Sequence, residues 1–257
     1  MRSDDDVRAV FQLLSDGCSQ AEAARRVGVS RATVRDWLRA GEQAVLARPM
    51  RQARANVTTQ PCDGVCPARM GLDEPAYAYL LGQYLGDGCL SRNGPGYRLR
   101  LATADAYPGI RAECVDAIAR VSGVAARFVT GQGCTEVYAS WRHWQCFVPH
   151  GPGKKHTRAI VLLDWQRALA VDRHPDRLVR GLIHSDGCRI MNRVVSRGKA
   201  YSYPRYCFTN MSADIRGLFI EACGRLGAEA RPSNRIVVSV STAESVRRLD
   251  AVVGPKT

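Results

Sequence analysis

"YLLGQYLGDGCLS", residues 79–91, is an apolar, glycine-punctuated run ending in Asp-Gly-Cys, and "LVRGLIHSDGCRI", residues 178–190, nearly repeats it. The likeness continues downstream. After Asp87-Gly88-Cys89 comes the polar turn "SRNGPGY" and then "RLRLATADAYPGIRAECVDAIARVSGVAA", where strand alternation gives way to helix. After Asp186-Gly187-Cys188 a longer polar segment leads into "YPRYCFTNMSADIRGLFIEACGRLGAEA", again strand followed by helix. Ile110-Arg111 matches Ile215-Arg216 at a displacement of 105 residues, against 99 for the aspartates, so the second hairpin is about six residues longer. Each copy closes on another strand pair, including "TEVYASW" and "NRIVVSVS", and then reaches "GPGKK" (151–155) or "GPKT" (254–257). The expected fold class is α+β, a pseudo-twofold αββαββ repeat over residues 76–257, with repeat one at 76–160 and repeat two at 170–257.

The two runs have a physical logic. Gly82 and Gly86 lie four apart, as do Gly181 and Ser185, so each helix carries a stripe of small residues. Two such stripes let helix backbones touch. If they meet at the pseudo-dyad, Asp87 and Asp186 converge at one end, and two carboxylates so placed repel unless a divalent cation sits between them.

Composition bounds the partners. The chain has 257 residues, 46% of them apolar, with 37 Lys plus Arg against 24 Asp plus Glu, a formal charge of +13 and a pI near 9.6. A balance this basic favours a polyanionic partner such as nucleic acid. No apolar stretch approaches membrane-spanning length, the first residues "MRSDDDVR" do not read as a secretory signal, and the ten cysteines are scattered singly. The expectation is a cytoplasmic protein with reduced thiols and no membrane partner, monomeric because the repeat makes an internal pseudo-dimer.

Residues 7–40, "VRAVFQLLSDGCSQAEAARRVGVSRATVRDWLRA", break into three short helices. Ser19 with Glu22 forms a capping-box pattern, Ser30 can cap the next helix, and Gly28 sits in the turn between helices two and three. The segment resembles the helix-turn-helix family, giving a small all-α domain over residues 1–45. That resemblance points Arg31, Thr33 and Arg35 of the third helix toward DNA; the alternative is that these side chains only solvate a three-helix bundle.

Residues 46–75 lose periodicity and read as a linker. Within it Cys62 and Cys66 form "CDGVC". Structural zinc takes four ligands, commonly as two such pairs, and with no second pair of comparable spacing in view, zinc is not expected there. Two ordinary thiols on a turn is the preferred reading, over a zinc knuckle completed by distant residues.

"LLGQYLGDG" (80–88) and "VRGLIHSDG" (179–187) are similar to the two signature helices of the LAGLIDADG homing endonucleases, and the αββαββ repeat resembles that family's fold. The departures are Gln83, Tyr84 and Leu85 in the first motif and Arg180 and His184 in the second. His184 is expected to be a peripheral helix residue. The resemblance implies that Asp87 and Asp186 hold Mg²⁺ or another divalent metal, with backbone carbonyls of Gly86 and Ser185 completing the coordination. It also implies a nearby basic group. Only four basic residues are lysines, and three fall in the Gly-Pro-Lys elements: Lys154, Lys155 and Lys256. Lysine is a compact charge whose pKa can move, which nominates these three beside the aspartates; a loop gripping phosphates is the alternative.

Alternation in "YRLRLAT" sends Arg98 and Arg100 to one face of a strand, and Arg189 with Arg193 are expected to serve the same DNA-facing role in the second copy. The resulting functional expectation is a site-specific DNA endonuclease. The alternative is a non-catalytic transcriptional regulator that uses a degenerate version of the fold, with the helix-turn-helix, to bind DNA.

Overall fold

The computed structural model describes residues 4–46, 62, 65–94, 96–151, 154–196 and 198–257. The chain divides into two compact units, 1–58 and 59–257. Most of the expected linker, residues 47–61, lies outside the described residues, as do Asp63 and Gly64.

The first unit is all helical: α1 (Asp4–Ser15), α2 (Gln20–Val27), α3 (Arg31–Ala40) and the short α4 (Glu42–Leu46). Val7, Val10, Ala24, Val29, Val34 and Trp37 form its core, with Val45 and Leu46 packed against them. Ser19 Oγ accepts the Glu22 amide at 3.2 Å and Ser30 Oγ the Thr33 amide at 3.0 Å, so both expected caps are present. The Glu22 carboxylate turns to Arg26 (2.6 Å) instead of closing a capping box. Gly28 ends α2 at φ +70°, the left-handed conformation that a tight helix-turn-helix corner requires.

The second unit is built on α5 (Glu74–Leu85) and α9 (Pro175–Asp186). Between them run β1 (Gly88–Asn93), β2 (Gly96–Ala104), α6 (Pro108–Ser122), β3 (Arg127–Thr130), β4 (Cys134–Trp141), α7 (Trp144–Phe147) and α8 (Asp164–Arg167), the last continuing into a π-helical turn over Ala168–Arg173. After α9 come β5 (Gly187–Ser196), β6 (Lys199–Thr209), α10 (Ala213–Arg225), β7 (Arg231–Pro232), β8 (Val237–Val240) and α11 (Ala243–Val253). The two sheets are antiparallel and ordered alike, β1-β2-β4-β3 and β5-β6-β8-β7. The protein is therefore α+β, with a pseudo-twofold αββαββ unit and an all-α helix-turn-helix unit.

Glycine makes the dyad possible. A Cβ added to Gly82 would lie 2.6 Å from Leu178 O, and one on Gly181 would lie 2.3 Å from Tyr79 O, so α5 and α9 touch main chain to main chain. Ala76 through Leu85 are all buried, because α5 is covered by α9 on one side and by the sheet and α6 on the others. Leu99, Leu101, Val137 and Ala139 on the helix-facing side of the first sheet are fully or almost fully buried. In the second sheet Tyr206, Phe208, Val238 and Val240 do the same.

The register corrects the expectation for Arg189. In β1 Leu90 pairs with Leu99, and in β5 Arg189 pairs with buried Tyr206, so Arg189 occupies the counterpart of Leu90, on the helix side. There its guanidinium makes a bidentate pair with Asp250 of α11 (2.7 and 3.0 Å). Arg193 shares its strand parity but lies where the β5–β6 hairpin extends past β8, and it is exposed.

Cys62 and Cys66 need correction too. Two ordinary thiols on a turn is an incomplete description: His143, at the start of α7, and Cys146 within it lie close to both sulfurs. His143 and Cys146 are spaced His-x2-Cys, a pattern that a search for a second cysteine pair passes over.

Candidate functional site

The touching helices end together. Asp87 follows α5 after Gly86, and Asp186 is the last residue of α9. A Cβ on Gly86 would lie 2.1 Å from Ser185 Oγ and 3.3 Å from the Asp186 carboxyl carbon, a measure of how closely the two motifs abut. Burial raises both carboxyls above the ordinary range, and for Asp87 the facing Asp186 charge adds to it. Lys155 and Lys256 pull both back down, and for Asp186 a hydrogen bond donated by Asn210 Nδ2 (2.6 Å) does so as well.

Each carboxylate opens into a different pocket. Asp186 lines a cleft of about 490 Å³ with Tyr84, Lys154, Lys155, His156, Arg158 and Asn210. Asp87 lines a smaller pocket of about 70 Å³ with Gln83, Tyr107, His184 and Lys256. In each pocket the lysine comes from the other repeat's Gly-Pro-Lys element, so the two half-sites are crossed.

The lysines are placed differently. Lys155 Nζ donates to the carbonyls of Tyr84 (2.6 Å) and Gly86, and burial lowers its pKa to about 8 despite the two aspartates. Lys256 Nζ donates to Gly187 O at 2.6 Å and is lowered by burial as well. Lys154 is exposed at the cleft rim. The Gly86 carbonyl, expected to face a metal, is engaged by the Lys155 ammonium, while the Ser185 hydroxyl bonds back to Gly181 O and Leu182 O (3.0 Å each). The donor atoms that converge are still all oxygens, carboxylate and carbonyl. That set fits a hard divalent cation, whose charge would favour the ionised form of both buried acids and offset the Asp186 charge that faces Asp87.

His184 is not peripheral. It is buried at the helix interface, where Gln83 donates to the Tyr79 hydroxyl (2.8 Å), Tyr79 to His184 Nδ1 (3.2 Å) and His184 Nε2 to Val253 O (3.1 Å). Burial lowers its pKa to about 4, so the ring is neutral and its tautomer is set by this chain of bonds. Arg180 also donates to Val253 O while forming a bidentate pair with Glu113 (2.7 and 2.9 Å). Val253 lies three residues before Lys256, so these bonds anchor the segment that delivers the second lysine.

The face of the first sheet away from the helices carries Arg98 and Arg100, as the alternation requires. Arg98 lies over the Tyr138 ring (4.7 Å to its centre), and Arg100 reaches Glu136 (3.7 Å). The matching face of the second sheet holds Arg205, opposite Ile190, in place of Arg189. Counting from the shared Asp-Gly rather than from the arginines would have found it. In the first unit Arg31 and Arg35 are exposed on α3, whereas the Thr33 hydroxyl lies 2.8 Å from Ser30 Oγ within the cap.

A protein-family model for the winged helix-turn helix matches residues 8–58. No curated protein matches the chain. Among solved structures, I-DmoI in complex with DNA and Mn is similar at 15% identity, over 72% of this chain and 99% of that one, with a TM-score of 0.45. The N-terminal LAGLIDADG domain of DUF199/WhiA is similar at 9% identity, over 71% and 83%, with a TM-score of 0.45. The LAGLIDADG meganuclease I-AabMI bound to uncleaved DNA is similar at 10%, over 68% and 82%, with a TM-score of 0.43.

Proposed function

We propose that the chain is a site-specific DNA-binding protein that hydrolyses phosphodiester bonds of double-stranded DNA with a divalent cation. The observation that carries this reading is the crossed pair of half-sites, Asp87 with Lys256 and Asp186 with Lys155, at the end of two helices in main-chain contact. Two half-sites suit two strands. Held by Asp87 and Asp186, with the carbonyls of Gly86 and Ser185 beside them, Mg²⁺ or a similar ion would activate water and offset charge on the scissile phosphate. Lys155 and Lys256 hold positive charge where phosphate oxygens would approach, while Lys154 extends that charge to the rim. Arg98, Arg100 and Arg205 offer guanidinium forks to the backbone and base edges, and Arg193 extends the basic surface along the hairpin. The helix-turn-helix unit adds Arg31 and Arg35, with Thr33 beside them, as a second DNA contact.

One observation favours the alternative of a regulator that binds without cutting. The Lys155 ammonium already engages the Gly86 carbonyl, so a cation must compete with it. Purified protein mixed with a randomised duplex library and Mg²⁺, with cleaved ends sequenced, separates the two. Cutting lost in both Asp87→Asn and Asp186→Asn supports the nuclease; tight binding without cutting across several divalent metals supports the regulator.

A further inference from the structure

Outside the aspartate cleft, four soft ligands from two distant stretches meet at one point. Cys62, Cys66, His143 and Cys146 each offer one ligand atom, and all four atoms lie within 4.8 Å of one another. Among the described residues no other group of three or more such side chains converges this way. Cys62 and Cys66 sulfurs are 3.6 Å apart, and His143 Nδ1 lies 3.6 and 3.3 Å from them. With Zn–S near 2.3 Å and Zn–N near 2.0–2.1 Å, the edges of a tetrahedral site are about 3.8 Å between sulfurs and about 3.6 Å from sulfur to nitrogen. From this match we infer that the four residues bind a single structural zinc ion.

The surroundings suit that ion. Burial pushes the Cys66 thiol up to about 12 and raises that of Cys146; the Ala68 amide donating to the Cys66 sulfur and the Cys62 amide donating to that of Cys146 work against it. Trp141 makes an edge contact with the His143 ring, with 5.1 Å between ring centres, and Cys66 is buried while the other three residues are half-buried. Thiolate and imidazole select zinc over the hard cations that suit Asp87 and Asp186. Four ligand atoms this close surround one ion, not a multinuclear cluster. On binding, the three thiol protons leave to solvent and the imidazole keeps one proton, on Nε2. Arg142 Nε now donates to that Nε2 at 3.0 Å, so its side chain swings aside when the metal enters. The zinc would close a loop of 77 residues between Cys66 and His143 and pin the start of the second unit to the end of its first sheet.

The test uses the full chain. Reduced protein is stripped with chelator, reloaded with zinc and desalted; one zinc per chain is expected, with three fewer thiols open to alkylation than in the stripped form. Cobalt in place of zinc should give a thiolate charge-transfer band and the intense visible absorption of a tetrahedral ion, lost in a Cys62→Ser/Cys66→Ser variant. Cys66→Ser and Cys146→Ser should retain at least tenfold less zinc against a fixed competitor, while Cys188→Ser retains it. The inference fails if reloaded wild type holds well under one zinc, if its thiol reactivity is unchanged, or if Cys66→Ser keeps the metal. A Cys62–Cys66 disulfide in freshly isolated chain that takes up no zinc after reduction overturns it equally.

Discussion

Asp87 is a carboxylate held where its charge is unwelcome. Its folded pKa lies above the unfolded value, so ionisation costs stability as pH rises through that interval, and the cost persists at neutral pH. Asp87→Asn should therefore abolish cutting yet raise the thermal midpoint, by about 2–4 °C for each kcal/mol relieved. A lower midpoint in a scanning calorimeter would mean the carboxylate is structural. Lys155 runs the other way: charged below about pH 8 and neutral above it. Measured in chelator, where the aspartates keep their charges, DNA affinity should fall as pH climbs through 8 in wild type and stay flat in Lys155→Arg. Identical pH profiles would remove Lys155 from the interface. Arg98 and Arg189 make a matched comparison. Arg98→Ala should weaken DNA binding and lower the salt slope by about 1, whereas Arg189→Ala should leave the slope unchanged and cost stability through Asp250.

At the scale of elements, the α5–α9 contact is the least forgiving part. Gly82→Ala drives a methyl against a main-chain oxygen that no rotamer can move, so about 3 kcal/mol of destabilisation is expected in urea; a loss under 1 kcal/mol would mean the helices can part. This contact was legible in the sequence, since small residues four apart on both runs of one repeat, Gly82 with Gly86 and Gly181 with Ser185, have few other uses. So was the face carrying Arg98, because Leu99 and Leu101 alternate with it. Arg189 was misplaced because the same alternation gives no origin: only the pairing of Gly187 with Phe208 fixes which parity faces the helices. Among the described residues α11 has no counterpart in repeat one, where Trp144–Phe147 makes a single turn, and the repeat therefore could not announce it. The His143–Cys146 pair stayed hidden because its partners lie 77 residues and more upstream, a separation that only tertiary folding closes.

The whole molecule joins two basic units. Their contributions to affinity on one long duplex should behave as linked binding events, so Arg31→Ala with Arg35→Ala should cost ten- to a hundredfold in affinity without moving the cut positions. A shifted cut pattern in end-sequencing would assign target choice to the helix-turn-helix instead. Among the described residues no helix is long and apolar enough to cross a membrane.

The glycine contact has a consequence for how the two halves can drift apart. What sets the spacing of Asp87 and Asp186 is main chain against main chain, so the gauge of the site is written in an absence of side chains. Much around it differs between the halves: Gln83 in one matches Leu182 in the other, Leu90 stands where Arg189 does, and among the described residues a long final helix closes only the second copy. Such a design decouples sequence from geometry. Either half is free to be rewritten for a new target, provided two hydrogen atoms are never exchanged for methyls.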